Sequence, residues 1–422
     1  MTLVATLVAA GLFVLLHWQG IGLFEDGWAL WQAGVSMMGG HGNRTLSGEP
    51  IVSWPPLYSL YLALWTVPFG PTGLGLVLAN GVLIVAQAWL WSRLIERLTA
   101  ETGLSLPGSL AIVLGLFLGT FVAVNQMGVL AHNIAYVILP VYLGALWDLT
   151  RQREAGRNVA VLVVAGTLLM LSHNSCVAFV AAAGVVLLSQ PATRSKARQA
   201  VVAALVAGMP IFLWGLSRLL LGQSDSHARG WDVGKWGVGE YLLQVLGGPG
   251  NLLVSERFRA GLAGWIVLCV VGVLLARTSR APLLRFALVF VAAAGAVLFV
   301  LFNVTWIYNE LSSARFVLFA PLLLVPILCA TALPRHPKAT MAVAVLLLLP
   351  QFYWAGLWTN RQLRSSLAEL SFPHGFVAHA AYISRDYLAG GPKTTPQGVL
   401  VAAPQKVEAA TLHPPELRNR IR

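Results

Sequence analysis

Long apolar stretches, each about 16 to 24 residues, recur along the chain and decide most of what it can become. A helix rises 1.5 Å per residue, so each stretch matches the roughly 30 Å hydrocarbon core of a bilayer. No water reaches that core, so backbone N–H and C=O groups must pair among themselves, which leaves helices or closed barrels. The runs are long and lack strict alternation, which argues against an outer-membrane barrel. Composition agrees: the chain is 57% hydrophobic and 10% charged, where a soluble domain carries roughly a quarter charged residues. The sequence reads as an all-α polytopic membrane protein.

Spans are expected near 3–20, 73–95, 106–124, 128–149, 158–172, 174–189, 199–221, 261–276, 283–303, 315–333 and 338–355, about eleven in all. The first has no charged n-region and no evident cleavage site, so it reads as an uncleaved helix. The long run "NVAVLVVAGTLLMLSHNSCVAFVAAAGVVLL" exceeds one helix, and its polar break, Ser172-His173-Asn174-Ser175, divides it. The expected organisation is a transmembrane module over 1–355, with outer loops at 21–72 and 222–260, and a short outer tail over 356–422. The tail reads as a helix, a short strand and a disordered end, and is too short for a separate catalytic domain.

The net charge of +12 fits the enrichment of Lys and Arg in cytoplasmic loops better than a nucleic-acid role. With the N-terminus inside, the inner loops hold 13 Lys and Arg and the outer loops before the tail hold six. The bias predicts a cytoplasmic N-terminus and an extracytoplasmic C-terminus. Cys176, Cys269 and Cys329 all lie in apolar runs with no CxxC spacing, so neither a metal site nor a disulfide framework is indicated.

Only 16 acids occur in the chain, and two of them, Glu25 and Asp26, stand together just past the first span. Carboxylates are costly in the bilayer interior and tolerable at its edge. The following "GWALWQAGVSMM" suggests an interfacial helix anchored by Trp28 and Trp31. A Gly-rich loop then leads to Pro55 and Pro56, which suit the first turn of a second interfacial helix over Leu57–Trp65. The two acids can simply favour the start of the first helix, or they can do chemistry.

The stretch 25–97 resembles the GT-C glycosyltransferases, in particular their protein-mannosyltransferase-like group (family 39). The residues that carry the likeness are "EDGWALWQAG" and "SWPPLYSLYLALWTVPFGPTGLGLVLANGVLIVAQAWLWSRLIERL", with Asn80 inside the span. Further on, "SSARFVLFAPLLLV" resembles the family's late span, and "AAYISRDYLAGGPKTTPQGVLVAAP" its outer helix-strand unit. The resemblance implies a GT-C-like fold and transfer of a sugar from a polyprenyl-phosphate donor to a glycan, lipid or protein acceptor at the outer face, with inversion. It implies Asp26 as general base, with Glu25 as runner-up or orienting group. Such chemistry needs one base for the acceptor proton and cationic groups for the leaving phosphate.

Candidate substrate-binding residues follow at the outer ends of the spans. Arg315, with Tyr308 and Glu310 beside it, suits a lipid phosphate, because a guanidinium binds phosphate as a fork. The alternative is an Arg reaching ordinary lipid headgroups. Lys235, in the second outer loop, suits the same phosphate, and Trp54 and His41 lie in the first. His132, in "AHNIAY", and His173 with Asn174, in "SHNSC", are polar spots inside apolar runs. Each is a cavity lining or a satisfied structural group. No DxD motif is present, so a divalent metal is not implied, and no cofactor beyond the lipid-linked substrate is expected. Nucleic acid is not an expected partner; membrane lipids are. A bacterial inner membrane is the expected location. "NRT" at 43–45 and "NVT" at 303–305 are glycosylation acceptors only in a eukaryotic host. Two other classes compete: a lipid or solute transporter, which would show midplane charges or broken repeated helices, and a non-catalytic assembly component of GT-C type.

Overall fold

The computed structural model describes residues 2–17, 25–44, 50–51, 54–70, 73–100, 131–189, 197–221, 282–304 and 319–332. Among them are ten α-helices and one 3₁₀ turn. They are α1 (Thr2–His17), α2 (Glu25–Met38), α3 (Leu57–Phe69), α4 (Gly73–Thr99), α5 (His132–Thr150), α6 (Ala155–Ser172), α7 (Val177–Ser189), α8 (Ala197–Leu220), α9 (Pro282–Val304) and α10 (Phe319–Ala332). The expected spans at 106–124, 261–276 and 338–355 and the tail lie outside the described residues. The others coincide with α1 and α4–α10 to within a few residues.

Four helices, over Gly75–Thr99, His132–Thr150, Ala155–Ser172 and Val201–Leu220, are long and apolar enough to cross a membrane. Their packing gives a ring: α4 on α5, α5 on α6, α6 on α7, α7 on α9, α9 on α10, and α10 back on α4. α1 packs outside α4, and α8 outside α6 and α7. α5 is buried along most of its length. α8 instead exposes Val201, Leu205, Phe212, Leu219 and Leu220, as a lipid-facing helix does. Between α7, α9 and α10, Phe179, Phe290 and Phe319 meet, with Phe319 edge-on to Phe179 at 4.9 Å between centroids.

Contacts fix the relative directions. Phe13 lies against Gly81, while the Thr2 backbone N–H donates to Glu96 Oε1 at 3.0 Å, so α1 and α4 are antiparallel. An acid at a helix N-terminus also offsets that end's partial positive charge. Asn80 meets Asn133, and Arg97 pairs with Asp148, so α4 and α5 run parallel. Arg93, Arg97, Arg151, Arg153 and Arg157 therefore gather at one end of the bundle. The start of α4, the start of α5 and the end of α6 gather at the other.

The break inside the long apolar run falls where its polar residues do. α6 ends at Ser172, His173 is extended (φ −158°, ψ 139°), and Asn174–Cys176 form the 3₁₀ turn before α7. The His173 ring caps that turn, its Nδ1 accepting the Ser175 N–H at 3.1 Å. A side-chain acceptor satisfies a donor that the broken helix leaves without a partner.

α2 and α3 pack as a pair, and α3 lies on both α4 and α6. The crossing is close at Gly34: a Cβ there would stand 2.9 Å from Leu62 Cβ and 3.2 Å from the Ala63 nitrogen. Three details differ from the sequence reading. Trp31, expected as an interfacial anchor, is 2% exposed and belongs to the apolar core, because the glycine lets α2 bury its large side chains against its partner. α3 runs on past Trp65 to Phe69 through Pro68. A proline so near the C-terminus disturbs few backbone bonds. Pro55 and Pro56 precede the helix rather than fill its first turn, with Pro56 at the N-cap position. α3 carries an exposed apolar face, where Leu60, Leu64 and Val67 repeat at helical spacing.

Candidate functional site

At the end of the bundle opposite the arginines, polar side chains from four segments converge in an apolar setting. Tyr58, in the first turn of α3, donates its O–H to Asn80 Oδ1 at 2.8 Å. Asn133, in the first turn of α5, donates through Nδ2 to the same oxygen at 3.3 Å. Asn80 Nδ2 donates back to Leu76 O at 2.9 Å within α4. That bond orients the carboxamide and turns its oxygen towards the other two helices. Tyr58, Asn80 and Asn133 are each fully buried.

One helix face extends this contact along α4. Gln87 Nε2 donates to Asn133 O at 2.9 Å, and Trp91 Nε1 to Tyr136 O at 3.0 Å. Tyr61, on α3, donates to Ala79 O at 2.6 Å, and burial pushes its phenol up to about 12. It therefore stays a neutral donor at physiological pH. Each such bond stabilises by about 0.5–1.5 kcal/mol net, and deleting one partner leaves a buried group whose desolvation costs about 1–3 kcal/mol.

Next to Asn133 stands His132, and its ring packs on that of His173 with centroids 4.4 Å apart and planes at 35°. Both are buried. His173 Nδ1 also lies 2.8 Å from Ser175 Oγ. Because Nδ1 accepts from the Ser175 backbone, a neutral His173 carries its proton on Nε2. The two histidines are 41 positions apart in sequence, yet the start of α5 and the break after α6 bring them together.

The other candidates distribute as follows. Glu25 and Asp26 open α2, whose first residue is Glu25. His41 is exposed in the loop after α2, between Gly40 and Gly42, both at positive φ (77° and 79°). Asn43 closes that loop through its Nδ2 on Ile51 O at 3.1 Å. Trp54 is half-buried against the apolar core. Asn174 is exposed on the 3₁₀ turn beside His173. Arg315, Tyr308, Glu310 and Lys235 lie outside the described residues. Among the described residues, no three His, Cys, Asp or Glu side chains converge as metal ligands.

Tyr58, Gln87 and Trp91 were not evident from sequence. A signal existed for the last two: with Asn80 they stand at spacings of seven and four, on one helix face. Tyr58 carries no such signal, since its partner lies on another helix.

No known protein family matches the sequence, and no curated protein matches it. Solved structures do match. ArnT from Cupriavidus metallidurans, determined bound to undecaprenyl phosphate, is similar over 99% of this chain and 85% of its own, at 13% identity and a TM-score of 0.56. The oligosaccharyltransferase of Archaeoglobus fulgidus, tethered to an acceptor peptide, is similar over 98% of this chain and 59% of its own, at 13% identity and a TM-score of 0.49. The chain thus shares the overall fold of ArnT.

Proposed function

We propose that the protein is a membrane glycosyltransferase. It transfers a sugar from a polyprenyl-phosphate donor to a glycan, lipid or protein acceptor at the extracytoplasmic face, in the manner of the protein-mannosyltransferase-like group. The observation that carries the reading is the pair of acids opening α2 straight after the first helix of a GT-C fold. The undecaprenyl phosphate held by ArnT supports a lipid phosphate as donor carrier.

In this reaction the Asp26 carboxylate takes the proton of an acceptor hydroxyl, with Glu25 orienting it. The freed oxygen attacks the anomeric carbon from the face opposite the phosphate. A C–O bond forms, the C1–O bond to phosphate breaks, and polyprenyl phosphate leaves as an anion. Arg315 and Lys235 hold that anion, and a charge held in a water-poor site is stabilised more than in bulk water. Tyr308 and Glu310 flank Arg315 in sequence. His132, His173 and Asn174 line the sugar side, with His41 and Trp54 at the entrance. The membrane is a bacterial inner membrane, with the arginine-rich end of the bundle in the cytoplasm.

The test is transfer of a radiolabelled sugar from polyprenyl phosphate by the protein in nanodiscs, with total membrane glycolipid and glycan as acceptor pool. Asp26→Asn, which keeps shape and removes the base, should lose at least about 10²-fold in kcat at wild-type expression and folding. A variant that transfers sugar at the wild-type rate would sink the assignment and leave Asp26 as a helix-start residue.

A further inference from the structure

We infer that Asn80 is a positioning residue for the proposed reaction: its carboxamide oxygen docks the α2–α3 pair onto the end of α5 that carries His132. The inference rests on the functional reading above, since it concerns where the α2 acids stand relative to the His132–His173 pair. Asn80 is 0% exposed in a lipid-embedded bundle. An amide there carries a desolvation cost that a leucine would not. What it adds is an oxygen with two lone pairs, and both point to donors on other helices, Tyr58 of α3 and Asn133 of α5. The amide nitrogen is tied back to Leu76 O, which prevents the group from flipping.

The consequence passes outward through contacts. Tyr58 is followed by Ser59, and Ser59, Leu62 and Ala63 are the residues against which Gly34 of α2 sits. α2 starts at Glu25. One oxygen thus holds the first turn of α3, and α3 holds α2. On its other side the same oxygen holds the turn of α5 next to the paired histidine rings. A displacement of 1 Å in a positioned group is enough to cost a large part of a rate enhancement.

The experiment compares Asn80→Leu, Asn80→Asp and Tyr58→Phe with wild type and Asp26→Asn, in nanodiscs, by sugar transfer and by hydrogen exchange. Asn80→Leu should lower kcat about tenfold with KM for the donor within about twofold, the scale of one lost hydrogen bond to a positioned group. Asn80→Asp keeps the accepting oxygens and should restore most of kcat. Tyr58→Phe should cause a smaller loss and add nothing to Asn80→Leu. Amides of α2 and α3 should exchange faster in Asn80→Leu, while those of α7 and α9 stay unchanged. If Asn80→Leu does not fold, Tyr58→Phe carries the same comparison. Unchanged exchange in α2 and α3 overturns the docking role. An active wild type and inactive Asp26→Asn, beside an Asn80→Leu that keeps its kcat, overturn the positioning role. A wild type that transfers no sugar removes the functional reading, and the exchange pattern then decides the docking by itself.

Discussion

Gly34→Ala tests the α2–α3 crossing with a single methyl group. The added Cβ would stand 2.9 Å from Leu62 Cβ, and 3.2 Å from both the Ala63 nitrogen and the Ser59 oxygen. Carbon atoms sit comfortably at about 3.5–4.0 Å, so the pair must open by roughly 0.6–1.1 Å. Two of the three obstacles are backbone atoms and the third is a Cβ, so no side-chain rotation relieves them. A gap of that size forfeits about a quarter to a half of each dispersion contact along the seam. Overpacking of this kind costs about 1–3 kcal/mol, and replacing a helical glycine by alanine returns up to about 1 kcal/mol. The net is a loss of about 1 kcal/mol, localised in α2 and α3. Gly215, in α8, has nothing within 4 Å of its would-be Cβ, so Gly215→Ala collects the helix gain alone. Gly81 is intermediate, because the atoms nearest its Cβ would be those of the Phe13 side-chain ring, which can give more readily than backbone. The assay is thermal unfolding in nanodiscs followed by tryptophan fluorescence, with hydrogen exchange across residues 25–69. The expected order of stability is Gly215→Ala, then Gly81→Ala, then Gly34→Ala. A Gly34→Ala protein as stable as Gly215→Ala, with unchanged exchange in α2 and α3, would refute the close crossing.

Two further outcomes concern the ends of the bundle. Arg97 and Asp148 form an ion pair between α4 and α5, with the Arg side chain 50% exposed and the Asp side chain 9% exposed. Asp148→Asn should lower stability by roughly 1 kcal/mol, discounted for the exposure of Arg97, and a salt titration of the unfolding midpoint should show the gap narrowing. At the other end, His173→Asn keeps an acceptor for the Ser175 N–H and His173→Ala does not. The alanine variant should show faster exchange over Ser175–Val177 and a loss greater by about 0.5–1.5 kcal/mol, whereas equal behaviour would mean that the cap is immaterial.

Much of the architecture was legible because the bilayer makes length and hydrophobicity decisive. α4, α6, α8 and α9 begin and end within a few residues of their apolar runs, and the break at His173 was marked by four consecutive polar residues. The neighbours of each helix were not legible. In lipid the outward and inward faces are both apolar, so periodicity does not say which side of α4 meets α5. His132 and His173 stood out singly as polar intrusions, but nothing in either stretch pointed to the other. Their meeting depends on α5 and α6 lying side by side and on both relevant ends falling at one level. Asn80 was conspicuous, while Tyr58 passed as one more aromatic in "PPLYSLY". Trp31 was misjudged for the same reason: an aromatic near a membrane edge serves equally as anchor or core, and Gly34 three positions on was the clue that favoured the core. Glu25 and Asp26 remain the point where sequence and fold agree most usefully, since α2 begins where they stand.

The parallel run of α4 and α5 bears on how the chain is made. Asn80 enters the membrane with α4, and residues 100–131 follow before the first turn of α5 can supply Asn133. During synthesis, at about 5–20 residues per second, the nascent chain passes through a stage in which Asn80 has Tyr58 as its one interhelical donor. Gln87 waits equally for the Asn133 carbonyl. Until then each lacks part of its partner set in hydrocarbon, where an unsatisfied polar group is costly. The contacts that tie α3, α4 and α5 together thus close once the chain has been made as far as Asn133, about a third of its length.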